Sequence, residues 1–258
     1  MKRAFVEQVM GLPVSVLLRG ATARDGGPEA AVRRVYDELR VADAVFSTWR
    51  PDSEVSRLNR GELALADCRS EVREVDRMCQ WARDATDGLF DADAPDGHWD
   101  PSGLVKGWAV ERAARHLASL ALDWCLNAGG DVLVSAPSGE PFGIGIADPH
   151  DRTGVVAVVR LVAGAVATSG TAARGDHLWH PQTGRAATGL ASVTVAGASL
   201  TDVDVLATAA FVDGGLGLLG CRPDTSGFAV HPDGRQEATA NWAGQALKVS
   251  ALPAESRA

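Results

Sequence analysis

The stretch WCLNAGGDVLVSA (residues 124–136) predicts two apolar strands joined by a glycine-containing turn. More strands are predicted directly after it, in FGIGIADP (142–149), VVAVVRLVAGAVATSG (155–170) and LASVTVAGAS (190–199), with turn residues between them. Consecutive strands favour antiparallel pairing, whereas a doubly wound α/β fold alternates strands with helices. The sequence therefore predicts an α+β fold of mostly antiparallel sheets with packed helices.

The predicted helices lie mostly before this strand-rich region. Apolar residues recur at helical spacing in residues 28–47 and 70–88, and further helices are predicted over residues 104–123 and about 202–212. Other predicted elements are two strands around a Gly-Leu-Pro turn (11–13), loops at 48–61 and 88–103, and closing strands in GFAVHPDG (227–234) and ALKVS (246–250). No clear boundary or repeat divides the chain, so residues 1–258 are predicted to form a single domain.

Charge, cysteine spacing and the length of the apolar runs argue against several classes of partner and site. The net charge of −8 argues against a surface for nucleic acid or for an anionic membrane. The four cysteines form no C-x-x-C pair, and their spacing suits neither a zinc site nor a disulfide framework. The sequence has no signal-peptide hydrophobic region and no apolar run that approaches a membrane span, so we expect a cytoplasmic location and no membrane segment.

The segment DPSGLVKGWAVERAA (100–114) contains a candidate anion site. Ser102 is placed to cap a helix that begins near Leu104, and a helix start offers free N–H groups and a positive dipole end to a ligand such as pyrophosphate. Lys106 carries the unfavourable charge for a first helical turn, and such local violations are found at functional positions. The alternative is a capped surface helix with a solvated lysine, and this segment alone favours it.

Two glycine-containing stretches are further candidates for a ligand site, but each indicates one less strongly. In NAGGDV (127–132) the glycines suit either a plain hairpin turn or close approach of a ligand to the backbone. TSGTAARGDHLWHPQTGR (168–185) contains His177 and His180, but no nearby Cys or Glu completes a zinc ligand set. A histidine that donates to a phosphate or acts as a general base fits this stretch equally well.

The segment TDVDVLATAAF (201–211) is apolar except for a few aligned polar residues. Thr201 and Asp204 match a capping box, and Ser199 and Asp202 match one as well, two residues earlier. If Ser199 is the cap, Asp204 lies inside the helix and shares a face with Thr208. A carboxylate and a hydroxyl on one face are typical ligands of Mg²⁺, although Thr208 could instead bond to the helix backbone. Spacing alone does not decide between these alternatives.

Several segments, in order, resemble the ApbE family of FAD:protein FMN transferases. They cover roughly residues 5 to 215 and are VMGLPVSV, FSTWRPDSEVSRLN, DGLFDADAP, DPSGLVKGWAVERAA, LNAGGDVLV, ATSG, HLWHPQTGR, GLASVTV and DVLATAAF. The resemblance implies a fold of two-layer α/β units related to the T-fold, with FAD as substrate and Mg²⁺ as cofactor. It also implies transfer of FMN from FAD to a threonine or serine hydroxyl of an acceptor flavoprotein, with release of AMP.

The resemblance also implies site residues. Asp204, Thr208 and the Gly103 carbonyl match the family's metal ligands. His177 matches a histidine that could be the base for the acceptor hydroxyl or a hydrogen-bond donor to the phosphate. The positions that match the family's FAD contacts are Met10, Trp49, Leu89, Phe90, Asp91, Asp100, Lys106 and Trp179. Trp49 and Phe90 lie in predicted loops, where we expect exposed rings able to stack on a flavin or adenine ring.

Three positions depart from the family pattern. The usual Met-Gly-Thr ends in Leu12, the segment after Asp100 reads Pro-Ser-Gly, and His180 replaces an aspartate. None of these changes removes a metal ligand or Lys106, so an active site is still expected, while the altered HLWHP loop bears on how an acceptor is handled. The alternatives are a magnesium-dependent FAD pyrophosphatase that forms FMN and AMP, and a non-catalytic FAD-binding carrier.

Overall fold

The computed structural model describes residues 1–23, 27–94, 96–151, 153–171, 180–181, 183–184, 186–242 and 244–246. Its helices are α1 (Gly27–Phe46), α2 (Glu54–Asn59), α3 (Ser70–Ala85), α4 (Ser102–Ala114) and α5 (Leu200–Asp213), with short 3₁₀ turns at Leu65–Asp67 and Gly217–Leu219. None of the helices in the described residues is both long and apolar enough to cross a membrane.

The strands in the described residues form two antiparallel sheets. They are β1 (Lys2–Val9), β2 (Leu12–Arg19), β3 (Asp123–Ala128), β4 (Asp131–Ser135), β5 (Phe142–Ala147), β6 (Val155–Leu161), β7 (Ala163–Gly170), β8 (Ser192–Gly197), β9 (Ser226–Val230), β10 (Gln236–Ala238) and β11 (Gly244–Ala246). The larger sheet has the order β1-β2-β3-β4-β7-β8-β9-β10, and the smaller has the order β11-β6-β5. Every pair of named strands is antiparallel, which confirms the α+β prediction.

Side-chain alternation places the helices on one face of the large sheet. The largest core cluster joins alternate residues of β2, such as Val14, Val16 and Leu18, to the apolar faces of α1, α3, α4 and α5. Separate clusters include residues of β4, β5 and β6, where the three-stranded sheet contributes Val156 and Val159. The large sheet therefore has helices on one side and a small sheet among the elements on the other.

Helix α5 is at the centre of this arrangement. It is buried on nearly every side, including Val203, Leu206 and Phe211, and it contacts both α4 and the strands β7 and β8. A helix that is apolar around most of its circumference is expected in a protein interior. Two polar residues of α5, Thr201 and Asp204, are therefore held in the core, and each is 3% exposed.

The opening hairpin differs slightly from the prediction. Its two-residue turn consists of Met10 (φ 56°) and Gly11 (φ 68°), while Leu12 and Pro13 belong to β2. Two consecutive residues with positive φ produce the turn that matches the twist of a hairpin. The turn therefore begins one residue earlier and ends two residues earlier than the predicted Gly-Leu-Pro turn.

The predicted polar loop at 48–61 contains a helix. Ser53 caps α2 by accepting a hydrogen bond from the Ser56 N–H at 3.0 Å. Six residues are too few to produce a recognisable apolar period, which is why the sequence did not predict this helix. The helix predicted over residues 104–123 also differs from the structure at both ends, since α4 begins at Ser102 and ends at Ala114. Of the predicted closing strand ALKVS, residues 247–250 lie outside the described residues.

Candidate functional site

The start of α4 is arranged by Asp100. Its Oδ1 accepts a hydrogen bond from the Ser102 N–H at 3.0 Å, and the carbonyl of Pro101 accepts from the N–H groups of Leu104 and Val105. The prediction that Ser102 caps this helix is wrong, because Ser102 is the first helical residue and its side chain makes no capping bond. A predicted FAD contact, Asp100, thus has a local structural role.

Lys106 lies between two buried carboxylates. Its Nζ is 2.5 Å from Asp131 Oδ2 and 3.2 Å from Asp204 Oδ1. Burial acts to lower the pKa of Lys106, but attraction to Asp204 and Asp131 outweighs it and raises this pKa. The unfavourable charge in the first part of α4 is therefore explained by carboxylates from other elements, and Lys106 is not a solvated surface lysine.

Asp131 is held at the start of β4 by the hairpin before it. Gly129 and Gly130 have φ values of 62° and 107°, which favour glycine, and the Gly130 N–H donates to Asn127 Oδ1 at 2.9 Å. Asp131 is 2% exposed, and its Oδ1 accepts from the Thr168 N–H at 3.1 Å. NAGGDV is thus a hairpin, and it also carries a site residue that the sequence analysis missed. The available signal was an aspartate directly after two glycines at the start of an apolar strand.

The structure of the start of α5 decides which of the two predicted caps, Ser199 or Thr201, begins the helix. Ser199 Oγ accepts from the Asp202 N–H at 3.2 Å, so Ser199 is the cap and Asp204 lies inside the helix. Glu111 of α4 accepts hydrogen bonds from the Leu200 N–H and the Thr201 hydroxyl, each at 2.6 Å. Thr201 therefore does not form a capping box with Asp204, and α4 stabilises the start of α5.

Close contact between the helices also depends on Gly107. A Cβ atom added at this residue would lie 2.8 Å from both Leu200 O and Thr201 Cα. Because these are backbone atoms, only glycine allows this separation of α4 and α5. This contact brings Lys106 of one helix within reach of Asp204 of the other.

The two carboxylate oxygens of Asp204 have different surroundings. Oδ1 faces Lys106, whereas Oδ2 is buried and has no hydrogen-bond partner in the described part of the chain. Burial raises the pKa of Asp204, opposed by Lys106 and reinforced by Asp131. An ionised buried oxygen without a partner is costly, and a bound cation would remove that cost.

Thr208 lies one turn further along α5. Its hydroxyl is 3.4 Å from Ser169 Oγ on β7. Within the described ranges, no group of three or more His, Cys, Asp or Glu side chains is arranged so that it could hold a metal ion. A cation here would therefore rely on the carboxylate of Asp204, the hydroxyl of Thr208 and neutral oxygens, a donor set that fits Mg²⁺ rather than zinc. The Gly103 carbonyl as a further ligand stays a prediction.

The predicted FAD contacts have varied surroundings. Met10 is partly buried at the tip of the first hairpin, Trp49 is 94% exposed, and Leu89 is partly buried against the core. Phe90 is only 3% exposed, so the prediction of an exposed ring is wrong for this residue. Its ring packs beneath Gly103, where a Cβ atom would lie 3.2 Å from Phe90 Cε2, and it therefore supports the start of α4.

A surface pocket of about 490 Å³ lies beside Asp91. Its lining residues are Arg83, Asp84, Asp87, Gly88, Asp91 and Pro181. Asp91 Oδ2 is 3.4 Å from Arg83 Nε, and Asp91 Oδ1 accepts from the Asp93 N–H at 3.0 Å. Pro181 follows the segment with the predicted base His177 and the predicted FAD contact Trp179, both of which lie outside the described residues.

Comparisons with known proteins show the family of the chain and agree with its fold. The model of the ApbE family matches residues 10–96 and 93–220. The ApbE protein of Thermotoga maritima superposes with a TM-score of 0.82 at 21% identity, covering 93% of this chain and 97% of that one. Flavin transferase ApbE of Vibrio cholerae has a TM-score of 0.79 at 19% identity, covering 93% and 97%. The flavinyl transferase ApbE of Pseudomonas stutzeri has a TM-score of 0.76 at 23% identity, covering 93% and 96%. A comparison with curated proteins finds no match.

Proposed function

The chain belongs to the ApbE family, and from this premise we propose that it is a magnesium-dependent flavin transferase. In the proposed reaction FMN moves from FAD to a threonine or serine hydroxyl of an acceptor flavoprotein, forms a phosphoester bond, and leaves AMP as the second product. The proteins of similar fold from V. cholerae and P. stutzeri are named as flavin and flavinyl transferases. This shared fold supports the proposal.

The observation that carries the proposal is the unequal environment of the Asp204 oxygens. One oxygen faces the Lys106 ammonium at 3.2 Å, and the other is buried without a hydrogen-bond partner among the described residues. Thr208 follows on the same face of α5. Asp204 and Thr208 would hold Mg²⁺, and the cation would supply charge neutralisation for the pyrophosphate and for the leaving phosphate of AMP.

The other residues orient the substrate. Lys106, next to the positive end of α4, would bind the pyrophosphate of FAD, since both supply positive potential to developing negative charge. Met10, Trp49, Leu89, Asp91, Asp100 and Trp179 are the proposed contacts to the rest of FAD. Phe90, being buried, would act by supporting Gly103.

The transfer step needs a base for the acceptor. The acceptor hydroxyl oxygen attacks the FMN phosphorus, its proton passes to His177, and the bond from that phosphorus to the bridging oxygen of the pyrophosphate breaks. The AMP oxygen takes the electron pair of that bond. The proposal for His177 rests on its match to the family motif alone, because this residue lies outside the described part of the chain.

The test incubates the purified protein with FAD and Mg²⁺, with and without a candidate acceptor flavoprotein. We expect the intact mass of the acceptor to increase by one FMN, and one AMP to appear per FMN transferred. AMP and free FMN without any acceptor would instead assign a FAD pyrophosphatase. Tight binding of FAD without AMP under either condition would assign a non-catalytic carrier and would contradict the proposal.

A further inference from the structure

Asp131 carries a buried charge that neither the proposed metal site nor the proposed FAD contacts use. It is 2% exposed, and its Oδ2 lies 2.5 Å from Lys106 Nζ without forming a hydrogen bond of normal geometry. Its Oδ1 accepts a hydrogen bond from the Thr168 N–H of β7. Asp131 is thus fixed to the sheet on one side and faces a lysine on the other.

The charges at the centre of the site are two carboxylates and one ammonium. Asp131, Asp204 and Lys106 together carry one net negative charge when all three are ionised. If Asp204 were the only partner of Lys106, the lysine would compete with a cation for the same carboxylate. Asp131 supplies a second partner, so that Lys106 can stay in place while Asp204 binds the metal.

We propose that Asp131 is the positioning residue that holds Lys106 beside Asp204 and leaves the free oxygen of Asp204 available to Mg²⁺. Asp131 acts through Lys106 and touches neither the substrate nor the metal. The rigid hairpin that precedes it suits this role, since Asn127 and the two glycines define where β4 begins. The metal part of the inference rests on the proposed function, whereas the placement of Lys106 does not.

A purely structural role for Asp131 would reside in its bond to the Thr168 N–H. Asp131→Asn keeps the size of the side chain and an oxygen for that N–H but removes the charge. A matched control is Asp123→Asn, which removes another buried, ion-paired aspartate, 4% exposed, whose Oδ2 lies 2.9 Å from Arg19 Nε at the far end of β3. This control shows what the removal of a buried, ion-paired carboxylate from this sheet does in general.

The first measurement is the labelling rate of Lys106 by an amine-acylating reagent, followed by peptide mass spectrometry without FAD or metal. The chain has three lysines, Lys2, Lys106 and Lys248, so the exposed Lys2 serves as a reference within the same molecule. We expect Asp131→Asn to increase labelling of Lys106 relative to Lys2, and Asp123→Asn to leave that ratio unchanged. An unchanged ratio in Asp131→Asn, or an equal increase in both variants, would overturn the inference.

The second measurement is Mg²⁺ affinity by calorimetry in the presence of FAD. We expect Asp131→Asn to weaken Mg²⁺ binding about 10- to 100-fold, the usual effect of removing an outer-shell partner of a metal site. The loss should be smaller when Lys106→Met is already present, because the competing ammonium is then absent. An equal loss in both backgrounds would mean that Asp131 acts directly and not through Lys106. If the wild-type protein binds no Mg²⁺, the proposed function fails, and the labelling ratio alone decides whether Asp131 positions Lys106.

Discussion

Lys106 on α4 and Asp204 on α5 form an ion pair of 3.2 Å across the contact between the two helices. Asp204 lies inside a helix that is buried on nearly every side, yet only one of its oxygens has a partner among the described residues. This arrangement is poor for stability, because a buried carboxylate oxygen without a hydrogen bond costs free energy. It is suitable for a ligand site, because a bound cation would give that oxygen a partner.

Thr208→Val should weaken Mg²⁺ binding while preserving the fold. The substitution replaces the hydroxyl by a methyl group of similar size, so the helix and its packing are retained. We expect a loss of at least about tenfold in Mg²⁺ affinity, since even outer-shell partners of a metal contribute that much. Calorimetric titration with Mg²⁺ measures it. Thr208→Ser keeps the hydroxyl and is the control, and equal affinities for both variants would exclude Thr208 as a ligand.

Glu111→Gln should lower the stability of the protein through α5. The carboxylate accepts from the Leu200 N–H and the Thr201 hydroxyl, both at 2.6 Å, and the amide has one oxygen to replace two. Hydrogen bonds to charged groups contribute about 1.5–3 kcal/mol each, so we expect a loss of that order in the free energy of unfolding. Urea denaturation measures it. For comparison, Ser199→Ala removes the side-chain cap of the same helix and should cost about 1 kcal/mol. An effect of Glu111→Gln below that of Ser199→Ala would contradict this role.

Gly107→Ala should force α4 and α5 apart. The added methyl group would lie 2.8 Å from the backbone of Leu200 and Thr201, and backbone atoms cannot rotate away. Overpacking of this kind costs about 1–3 kcal/mol. The measurement is the midpoint of thermal unfolding. The control is Gly103→Ala in the same helix, whose methyl group would meet only the Phe90 ring, at 3.2 Å. If Gly107→Ala is tolerated as well as Gly103→Ala, the close contact of the helices is not needed.

Asp123 should make stability depend on pH in acid. Burial acts to raise its pKa, but hydrogen bonds from the Ser138 hydroxyl and N–H and attraction to Arg19 lower the pKa overall. A carboxyl group whose pKa is lowered on folding stabilises the protein above its unfolded pKa of about 3.9, and this stabilisation disappears as the pH falls through the folded pKa.

The measurement for Asp123 is the free energy of unfolding of wild-type protein and Asp123→Asn between neutral and strongly acidic pH. We expect the difference between them to be constant near neutral pH and to shrink below about pH 4. A difference that is the same at every pH would show that the charge of Asp123 does not contribute.

Local sequence patterns predicted the elements better than their ends. Apolar runs between turn residues identified the consecutive strands, and the helical period identified α1 and α3. The sequence limited the cap of α5 to Ser199 or Thr201. The choice of Ser199 depended on Glu111 of another helix, which accepts a hydrogen bond from the Thr201 hydroxyl. A helix as short as α2 has too few residues for any period to be recognised.

The candidate site could be predicted only in part. Helical spacing aligned Asp204 with Thr208, because that relationship is local to one helix. The pairing of Lys106 with Asp131 depends on the packing of α4 against the sheet, and nothing near either residue in the sequence indicates it. Phe90 was assigned an exposed ring because its neighbours are Asp and Gly, whereas its position beneath Gly103 is a tertiary contact.

The most direct test of the account is FAD turnover during a Mg²⁺ titration, with wild-type protein and Asp204→Asn measured in parallel, with and without an acceptor flavoprotein. We expect AMP release by the wild-type protein to saturate with Mg²⁺ and to be accompanied by covalent FMN on the acceptor. We expect a loss of about 100-fold or more in the turnover of Asp204→Asn below saturation, at the upper end of the effects of residues around a metal. Wild-type turnover that is independent of Mg²⁺, or equal turnover by folded Asp204→Asn, would contradict the account.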